Sequence, residues 1–277
     1  MSALASPALL QAPAHWQRLD FIADLHLQAG DEATFGVWRN FMQRTQADAL
    51  FILGDLFEVW VGDDAIDAAS AGDDFAARCA QVLAATAQRL PLFFMHGNRD
   101  FLVGADFAAA CNMKLLDDPT VLEFAGERWL LSHGDALCLQ DSDYMQFRSQ
   151  VRSAQWQQAF LQQSLAQRQS IGRQMRSQSE EHKRTGMSKG ELLVDLDSQA
   201  TRECLQASAA STLIHGHTHQ PAEHDLGQGL RRLVLSDWDA SASPPRASVL
   251  RLSATQSGNT PTGAKFERLP AALAQGL

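Results

Sequence analysis

The sequence has little that would mark a secreted, cross-linked or membrane-spanning chain. Four cysteines occur in 277 residues (Cys79, Cys111, Cys138, Cys204), widely spaced and without a CxxC pair. That pattern argues against a disulfide framework and against a thiolate zinc site, and it points to a reducing compartment. No stretch approaches the roughly 18 apolar residues of a spanning helix. The segment Met1 to Ala14 lacks the basic opening of a secretory signal, so a cytoplasmic location is expected. Basic residues are in the minority, 23 against 32 acidic ones, for a formal charge of −9. Broad nucleic-acid affinity, which needs a basic surface, is therefore not expected. Hydrophobic residues at 45% and charged residues at 20% exclude a disordered, collagen-like or coiled-coil chain.

At 30.3 kDa the chain suits one main layered domain with an insertion better than two equal domains. One segment departs from the acidic average. Between Arg148 and Lys189 there are eight basic residues (Arg148, Arg152, Arg168, Arg173, Arg176, Lys183, Arg184, Lys189) and two acidic ones, Glu180 and Glu181. The segment is rich in Gln and sets Trp156, Phe160, Leu161 and Leu165 at helical spacing, the pattern of helices with an apolar face and a basic rim. It reads either as a solvated bundle packed on the main domain or as a cap for an anionic, partly apolar ligand.

Elsewhere short apolar runs alternate with amphipathic stretches. Residues 18–23, 49–53 and 92–95 read as buried strands, and 33–44 and 75–89 as helices between them. This β-α-β-α-β order predicts parallel strands with helical crossovers. Beyond Cys111 the strands are closer in sequence, at 120–124, 128–131, 211–214, 230–235 and 247–252, which predicts antiparallel pairs interrupted by the basic segment. No internal repeat is present, and the polar stretch 253–264 is expected to be loop.

The metal-capable residues fall at the ends of these strands: Asp24-Leu25-His26, Gly54-Asp55, Gly97-Asn98-Arg99-Asp100, His133-Gly134-Asp135 and Gly216-His217-Thr218-His219. Alone, an Asp-x-His is usually a capped turn and a Gly-Asp a loop. Together they are informative, because sheets with parallel strands build sites at their carboxyl edge, where distant residues converge. His217 and His219, two apart in an extended segment, are expected to point the same way. The donors are two carboxylates (Asp24, Asp55), an amide (Asn98) and four imidazoles (His26, His133, His217, His219), with no sulfur. Such a set suits Mn²⁺, Fe²⁺, Zn²⁺ or Mg²⁺. An Asp between two ions roughly 3.5–4 Å apart can bridge them, and such a pair promotes in-line displacement at phosphorus. Phosphoester hydrolysis is the expected reaction class.

The order of these motifs resembles that of the calcineurin-like metallophosphoesterases. Within them, Ile22-Ala23-Asp24-Leu25-His26-Leu27, Ile52-Leu53-Gly54-Asp55-Leu56-Phe57-Glu58, His96-Gly97-Asn98-Arg99-Asp100-Phe101 and Ile214-His215-Gly216-His217-Thr218-His219 resemble the UDP-2,3-diacylglucosamine pyrophosphatase family of lipid A biosynthesis. Many members of the superfamily have a His after the Asn, whereas this chain has Arg99, as that family does. The resemblance implies an α+β fold in four layers, α/β/β/α: a metallophosphoesterase β-sandwich flanked by helices, with an inserted helical cap at about 145–195. It places the domain at 16–277 after an N-terminal extension, 1–15, that has no family counterpart.

The activity it implies is water attack on the α-phosphorus of UDP-2,3-diacylglucosamine, giving UMP and 2,3-diacylglucosamine 1-phosphate (lipid X), with two Mn²⁺ ions. By the family pattern Asp24, His26, Asp55 and His219 hold one ion and Asp55, Asn98, His133 and His217 the other, with Arg99 completing the catalytic set. Substrate contacts fall on Asn98, Arg99, Asp141, Tyr144, Arg176, Ser179, Lys189 and His217. About three extra residues lie between Ser179 and Lys189, and no contact is assigned from Glu180 to Ser188. Ser236-Asp237-Trp238-Asp239 also departs from the common family form. The expected partners are the substrate, lipid X and an anionic membrane surface, with the protein peripheral on the cytoplasmic face of the inner membrane. No nucleic acid and no obligate protein partner are expected. The competing readings are a calcineurin-like phosphodiesterase for a soluble nucleotide or phosphoprotein, which needs no apolar channel, and a non-catalytic binding module, which should have lost ligands.

The remaining polar residues carry milder expectations. His96 and His215 read as hydrogen-bonded core residues, Asp100 and Asp135 as partners that orient neighbouring ligands, and Asp63 and Asp64 as a solvated turn. Trp156 and Phe160 either seal the cap onto the body or meet acyl chains. His224 is given no role.

Overall fold

In the computed structural model, which describes residues 7–66, 74–188, 195–257 and 260–273 and no side chains at 178–188, 257, 260 or 261, the elements run in the following order. They are β1 (Ala8–Gln11), β2 (Arg18–Ile22), α1 (Glu32–Arg44), β3 (Ala49–Leu53), α2 (Phe75–Ala87), β4 (Leu92–Met95), α3 (Ala105–Ala110), β5 (Lys114–Leu116), β6 (Thr120–Phe124) and β7 (Glu127–Leu131). Three helices follow, α4 (Ser142–Val151), α5 (Ala154–Leu161) and α6 (Leu165–Ser188). The chain then continues through α7 (Ser198–Ala207), β8 (Thr212–His215), β9 (Glu223–Gly227), β10 (Leu230–Val234), β11 (Ser248–Ser257) and β12 (Thr260–Pro270).

Two mixed sheets form, in the orders β12-β11-β2-β3-β4-β5 and β1-β6-β7-β8-β10-β9. In the first, β2 to β5 are parallel and β11 runs antiparallel to β2. The period-two alternation of strand side chains sorts residues between two cores. Leu19, Phe21, Phe51, Leu53, Phe93 and Met95 face the second sheet, meeting Leu122, Trp129, Leu131, Ile214 and Leu233. Ile22, Leu50, Ile52, Leu92 and Phe94 face outward onto Phe35, Trp38, Phe41 and Leu83 of α1 and α2. Val121, Leu130 and Leu213 carry the far side of the second sheet onto Leu205 of α7. The result is four layers, helix, sheet, sheet, helix. Phe21, Phe51 and Phe93 stack in a row along the inner face of the first sheet, with ring centroids 4.8 and 4.7 Å apart.

The expected strands and helices appear, most with ends moved by one or two residues. Four features differ from the sequence reading, the first being β8, expected in an antiparallel pair but parallel to both β7 and β10. The stretch 253–264 is not loop, because β11 and β12 form a long antiparallel hairpin through it. Its alternating Thr255, Thr262, Lys265 and Glu267 suit an edge pair that needs little apolar content. The strand expected at 247–252 joins the first sheet beside β2, not the later strands. Finally, residues before Trp16 contribute β1, parallel to β6.

A buried ion pair ties β11 to β2. Arg251 donates from Nε and Nη2 to the two carboxylate oxygens of Asp20 at 2.7 and 2.8 Å, and Thr45 Oγ1 donates to Asp20 at 2.7 Å. Asp20 is fully buried. Removing one partner of such a pair costs about 3–5 kcal/mol, since the other charge stays desolvated. Asp20→Ala should therefore lower the free energy of unfolding in urea by that amount, and an unchanged midpoint would contradict the role given to this pair.

Candidate metal centre

The loops that follow β2, β3 and β8 turn sharply at their functional residues. Asp24, His26, Asp55, His217 and His219 all adopt positive φ, between 49° and 69°, a region costing roughly 1–2 kcal/mol for a non-glycine residue. Asp and His tolerate it better than most, and backbone bonds hold it: Asp24 N donates to Gly54 O at 3.1 Å, His26 N to Asp55 O at 3.0 Å and Leu27 N to Leu56 O at 2.9 Å. Strain gathered on five polar residues where strands of the two sheets end marks a functional site. The turns also explain a difference from the sequence reading. His217 and His219 are not in extended backbone and do not point together.

They serve two ends of one cluster. His219 Nε2 faces His26 Nε2 at 3.1 Å and Asp24 Oδ1 at 3.5 Å. His217 Nδ1 faces Asn98 Oδ1 at 2.8 Å, and His133 Nε2 faces the same oxygen at 3.0 Å. Asp55 lies between, with Oδ1 3.8 Å from His133 and Oδ2 3.9 Å from His26. Ligand atoms of Asp24, His26 and His219 lie within 4.8 Å of one another, as do those of Asp24, Asp55 and His133. All seven expected donors thus converge.

The surrounding groups fix which atoms face inward. His133 Nδ1 donates to Leu53 O at 2.9 Å, leaving the Nε2 lone pair toward Asn98 and Asp55. His26 Nδ1 lies 2.9 Å from Glu58 Oε2, so a carboxylate stands on the side of the ring away from His219. Asp100 does not touch a ligand side chain. Its carboxylate accepts from the amides of Leu56 at 2.7 Å, Gly97 at 2.9 Å and Asp55 and Phe57 at 3.3 Å, so it shapes the loop that carries Asp55. Asp135 accepts from Tyr144 Oη at 2.6 Å and Arg148 Nε at 2.8 Å.

Charge at this edge is unbalanced. Burial pushes the Asp24 carboxyl up, but hydrogen bonding and attraction to His219, with His133 and His26 beyond, hold it well below the usual carboxylate range. Burial lowers His26 and, together with neighbouring His133, pushes His217 down to about 4, keeping both neutral. His133 goes the other way: burial opposes its protonation, but Asp55, Asp135 and Asp24 raise it to about 9. A pocket that draws a proton onto a buried imidazole has a strongly negative potential. Four imidazoles gathered about an amide oxygen and two carboxylates fit divalent cations, which suit a sulfur-free N/O set and would take the place of that proton.

The expected substrate residues are placed less uniformly. Arg99 donates its amide to Asp55 Oδ1 at 2.8 Å, and its buried Nε has no hydrogen-bond partner among the described residues. Tyr144 lies beside His217, ring centroids 5.9 Å apart. Asp141 caps α4, accepting from Tyr144 N at 2.9 Å, and Arg176 of α6 pairs with Glu58. Lys189 and the side chain of Ser179 lie outside the described residues. Glu58 lies three residues after Asp55 in sequence, but sequence alone does not reveal that it comes close to His26.

The milder expectations divide. His215 is buried, and His96 bonds Val103 O at 2.6 Å. Trp156 stacks on buried Phe160, centroids 4.7 Å apart, and leans on Phe101. Of the pair expected in a solvated turn, Asp64 is exposed and Asp63 is not. Asp63 accepts from Trp60 Nε1, Gly104 N and Phe107 N at 2.9–3.1 Å, and Asp64 pairs with Arg168 of α6.

The model of the calcineurin-like phosphoesterase family matches residues 17–221, which sets the class of this protein. Within the class its relatives are closely alike in function by name. It is 46% identical over 230 residues to the UDP-2,3-diacylglucosamine hydrolase of Chromobacterium violaceum, covering 79% of this chain and 90% of that protein. It is 41% identical over 260 residues to that of Ralstonia nicotianae (91% and 93%) and 38% over 223 residues to that of Chromohalobacter salexigens (78% and 87%). The chain belongs to this UDP-2,3-diacylglucosamine hydrolase family of calcineurin-like phosphoesterases.

Gly97 offers a test of the centre. A Cβ there would come within 2.1 Å of Asp55 Oδ1 and 2.3 Å of Asp55 N, so Gly97→Ala must displace Asp55. Metal affinity should fall by about 10–100-fold, the usual cost of disturbing a ligand's support, while thermal unfolding stays cooperative. Parent-like metal content after dialysis against a chelator would contradict the placement of Asp55 at the centre.

Proposed function

We propose that the protein hydrolyses UDP-2,3-diacylglucosamine by water attack at the α-phosphorus, releasing UMP and lipid X in lipid A biosynthesis. The observation that carries this reading is the convergence of Asp24, His26, Asp55, Asn98, His133, His217 and His219 at the strand ends of the two sheets, in a chain 46% identical to a hydrolase of that name. Two Mn²⁺ ions are the proposed cofactors, Asp24, His26, Asp55 and His219 holding one and Asp55, Asn98, His133 and His217 the other. Bound there, such ions supply Lewis-acid activation of water and charge neutralisation at the phosphoryl group.

The chain's own groups provide the rest. Asp55 lies between the two sets, and Arg99, whose buried Nε has no hydrogen-bond partner among the described residues, is the proposed contact for a diphosphate oxygen. Asn98, Asp141, Tyr144, Arg176, Ser179, Lys189 and His217 are the proposed further substrate contacts. Helices α4 to α6 are the proposed cap, its base packed on the body through Trp156 and Phe160. A soluble-substrate phosphodiesterase gains no support from any single feature.

No helix among the described residues is long and apolar enough to cross a membrane, and a diacylated substrate stays in the bilayer. Peripheral docking on the cytoplasmic face of the inner membrane is therefore part of the proposal. The basic window cannot act as one patch, however. Arg168 is only 3% exposed and bonds Asp64 and Val61 O, Arg148 bonds Asp135, and Arg152 bonds Gly97 O. Exposed Arg173, with exposed Phe147 and Leu161, is the better candidate for contact with anionic lipid.

Purified protein with Mn²⁺ should convert UDP-2,3-diacylglucosamine to UMP and lipid X and leave a generic phosphodiester largely intact; the reverse preference would favour the soluble-substrate enzyme. In ¹⁸O-water the label should enter UMP, and label confined to lipid X would contradict α-phosphorus attack. Asp55→Ala should lose both ions and nearly all turnover, whereas His219→Ala should lose chiefly one ion. An active Asp55→Ala enzyme would rule out the shared carboxylate.

A further inference from the structure

A chain of buried polar contacts runs behind the metal centre and ends on the loop that carries His217. At its outer end Asp195, about half exposed, lies just before α7. It accepts from Arg232 of β10 through both oxygens, Nη1 to Oδ1 at 2.9 Å and Nη2 to Oδ2 at 2.5 Å. Arg232 is 4% exposed. Its Nη1 also lies 3.2 Å from Nε2 of His215. A guanidinium has only donors, so His215 Nε2 must accept and Nδ1 must carry the hydrogen. Nδ1 in turn donates to Gly216 O at 2.8 Å.

The His215 ring occupies the space between two ligand-bearing loops. A Cβ on Gly134, next to His133, would come within 3.0 Å of its Nδ1. On the other side the Gly216 carbonyl it binds also accepts from Thr218 N at 2.8 Å, and Gly216 N donates to His133 O at 3.0 Å. The next amide, His217 N, donates to both oxygens of Asp24 at 3.1 and 2.9 Å. One ring thus backs the loops of His133 and His217, and one guanidinium fixes that ring.

We propose that Arg232 is a positioning residue of the metal centre: clamped by Asp195, it orients His215 as a wedge that sets the Gly216 to His217 peptide and thereby the placement of His217 against Asn98 and Asp24. The inference rests on the metal-centre reading above but not on the identity of the substrate. A group that orients ligands without touching the ion is typically worth 10–100-fold in metal affinity or activity.

The test is Mn²⁺ titration of the full chain, with free Mn²⁺ read by electron paramagnetic resonance, beside thermal unfolding and steady-state kinetics on UDP-2,3-diacylglucosamine. Arg232→Met keeps the buried stem and removes the donors. It should weaken one of the bound ions by about 10–100-fold and lower kcat, with KM close to the parent's. Arg232→Lys, which keeps the charge but lacks the planar fork that meets Asp195 with two donors, should fall between. Asp195→Asn, at a half-exposed position that tolerates change, should move affinity the same way by less and covers the case in which Arg232→Met does not fold. Parent-like Mn²⁺ affinity and kcat in Arg232→Met, or in Asp195→Asn where the former does not fold, would overturn the proposal whatever happens to the melting temperature. If the parent binds Mn²⁺ but leaves the lipid substrate intact, a loss of affinity in the variants still supports the role of Arg232 and the substrate assignment alone falls. If the parent binds no Mn²⁺, both fall.

Discussion

Everything at the working edge of this molecule depends on holding acceptors against acceptors. Two carboxylates, an amide oxygen and four imidazoles crowd together, with ring nitrogens 2.8–3.1 Å from Asn98 Oδ1 or from one another and the carboxylates 3.5–3.9 Å from the rings. In isolation such a cluster would fly apart or protonate, and the upward pull on His133 is that tendency made visible. Several members are held from behind: His133 by Leu53 O, Asp24 by the His217 amide, and the loop of Asp55 by Asp100, while Glu58 lies close to His26. A rigid cluster of this kind binds cations well because little reorganisation is left to do when they arrive.

The sandwich supplies that rigidity. β2, β3 and β8 are buried along their whole lengths apart from Arg18, so their carboxyl ends are fixed points, and the ligand loops begin where the strands stop. Because the two sheets face each other across the Phe21, Phe51 and Phe93 stack, donors from the first sheet (Asp24, His26, Asp55, Asn98) meet donors from the second (His133, His217, His219). The site is thus an inter-sheet feature. A change that slid one sheet on the other would separate the two halves of the donor set before it unfolded either.

The legibility of this arrangement in the sequence was uneven, for physical reasons. Strands such as Ala49–Leu53 and Leu92–Met95 are buried on both faces and read as continuous apolar runs, and their polar termini stood out against that background. The β11–β12 hairpin did not stand out, because an edge pair exposed on one side carries Thr, Lys and Glu as a loop does. β1 is four residues long, with alternating burial and no strong apolar signal. The divergence of His217 and His219 was hidden because residue spacing fixes direction only where φ is known, and both residues take left-handed backbone. The ligands were readable as residue types at strand ends; their supports, Glu58 and the Asp63 that holds α3, required the third dimension.

Charge in the helical segment carries the same lesson. Counted along the chain, Arg148, Arg152, Arg168 and Arg176 make a basic surface. In space they turn toward Asp135, Gly97 O, Asp64 and Glu58. An arginine in that setting acts as a tie between layers, its planar donors suited to carboxylates and carbonyls. Two of these ties end on the supports of the metal centre itself, since Glu58 backs His26 and the Gly97 carbonyl belongs to the loop carrying Asn98. The helices are therefore joined to the ligand loops through charge-assisted bonds as well as through Trp156 and Phe160. Movement of α6 relative to the sandwich would be felt at His26 through Glu58 before it was felt at any ligand drawn from the second sheet.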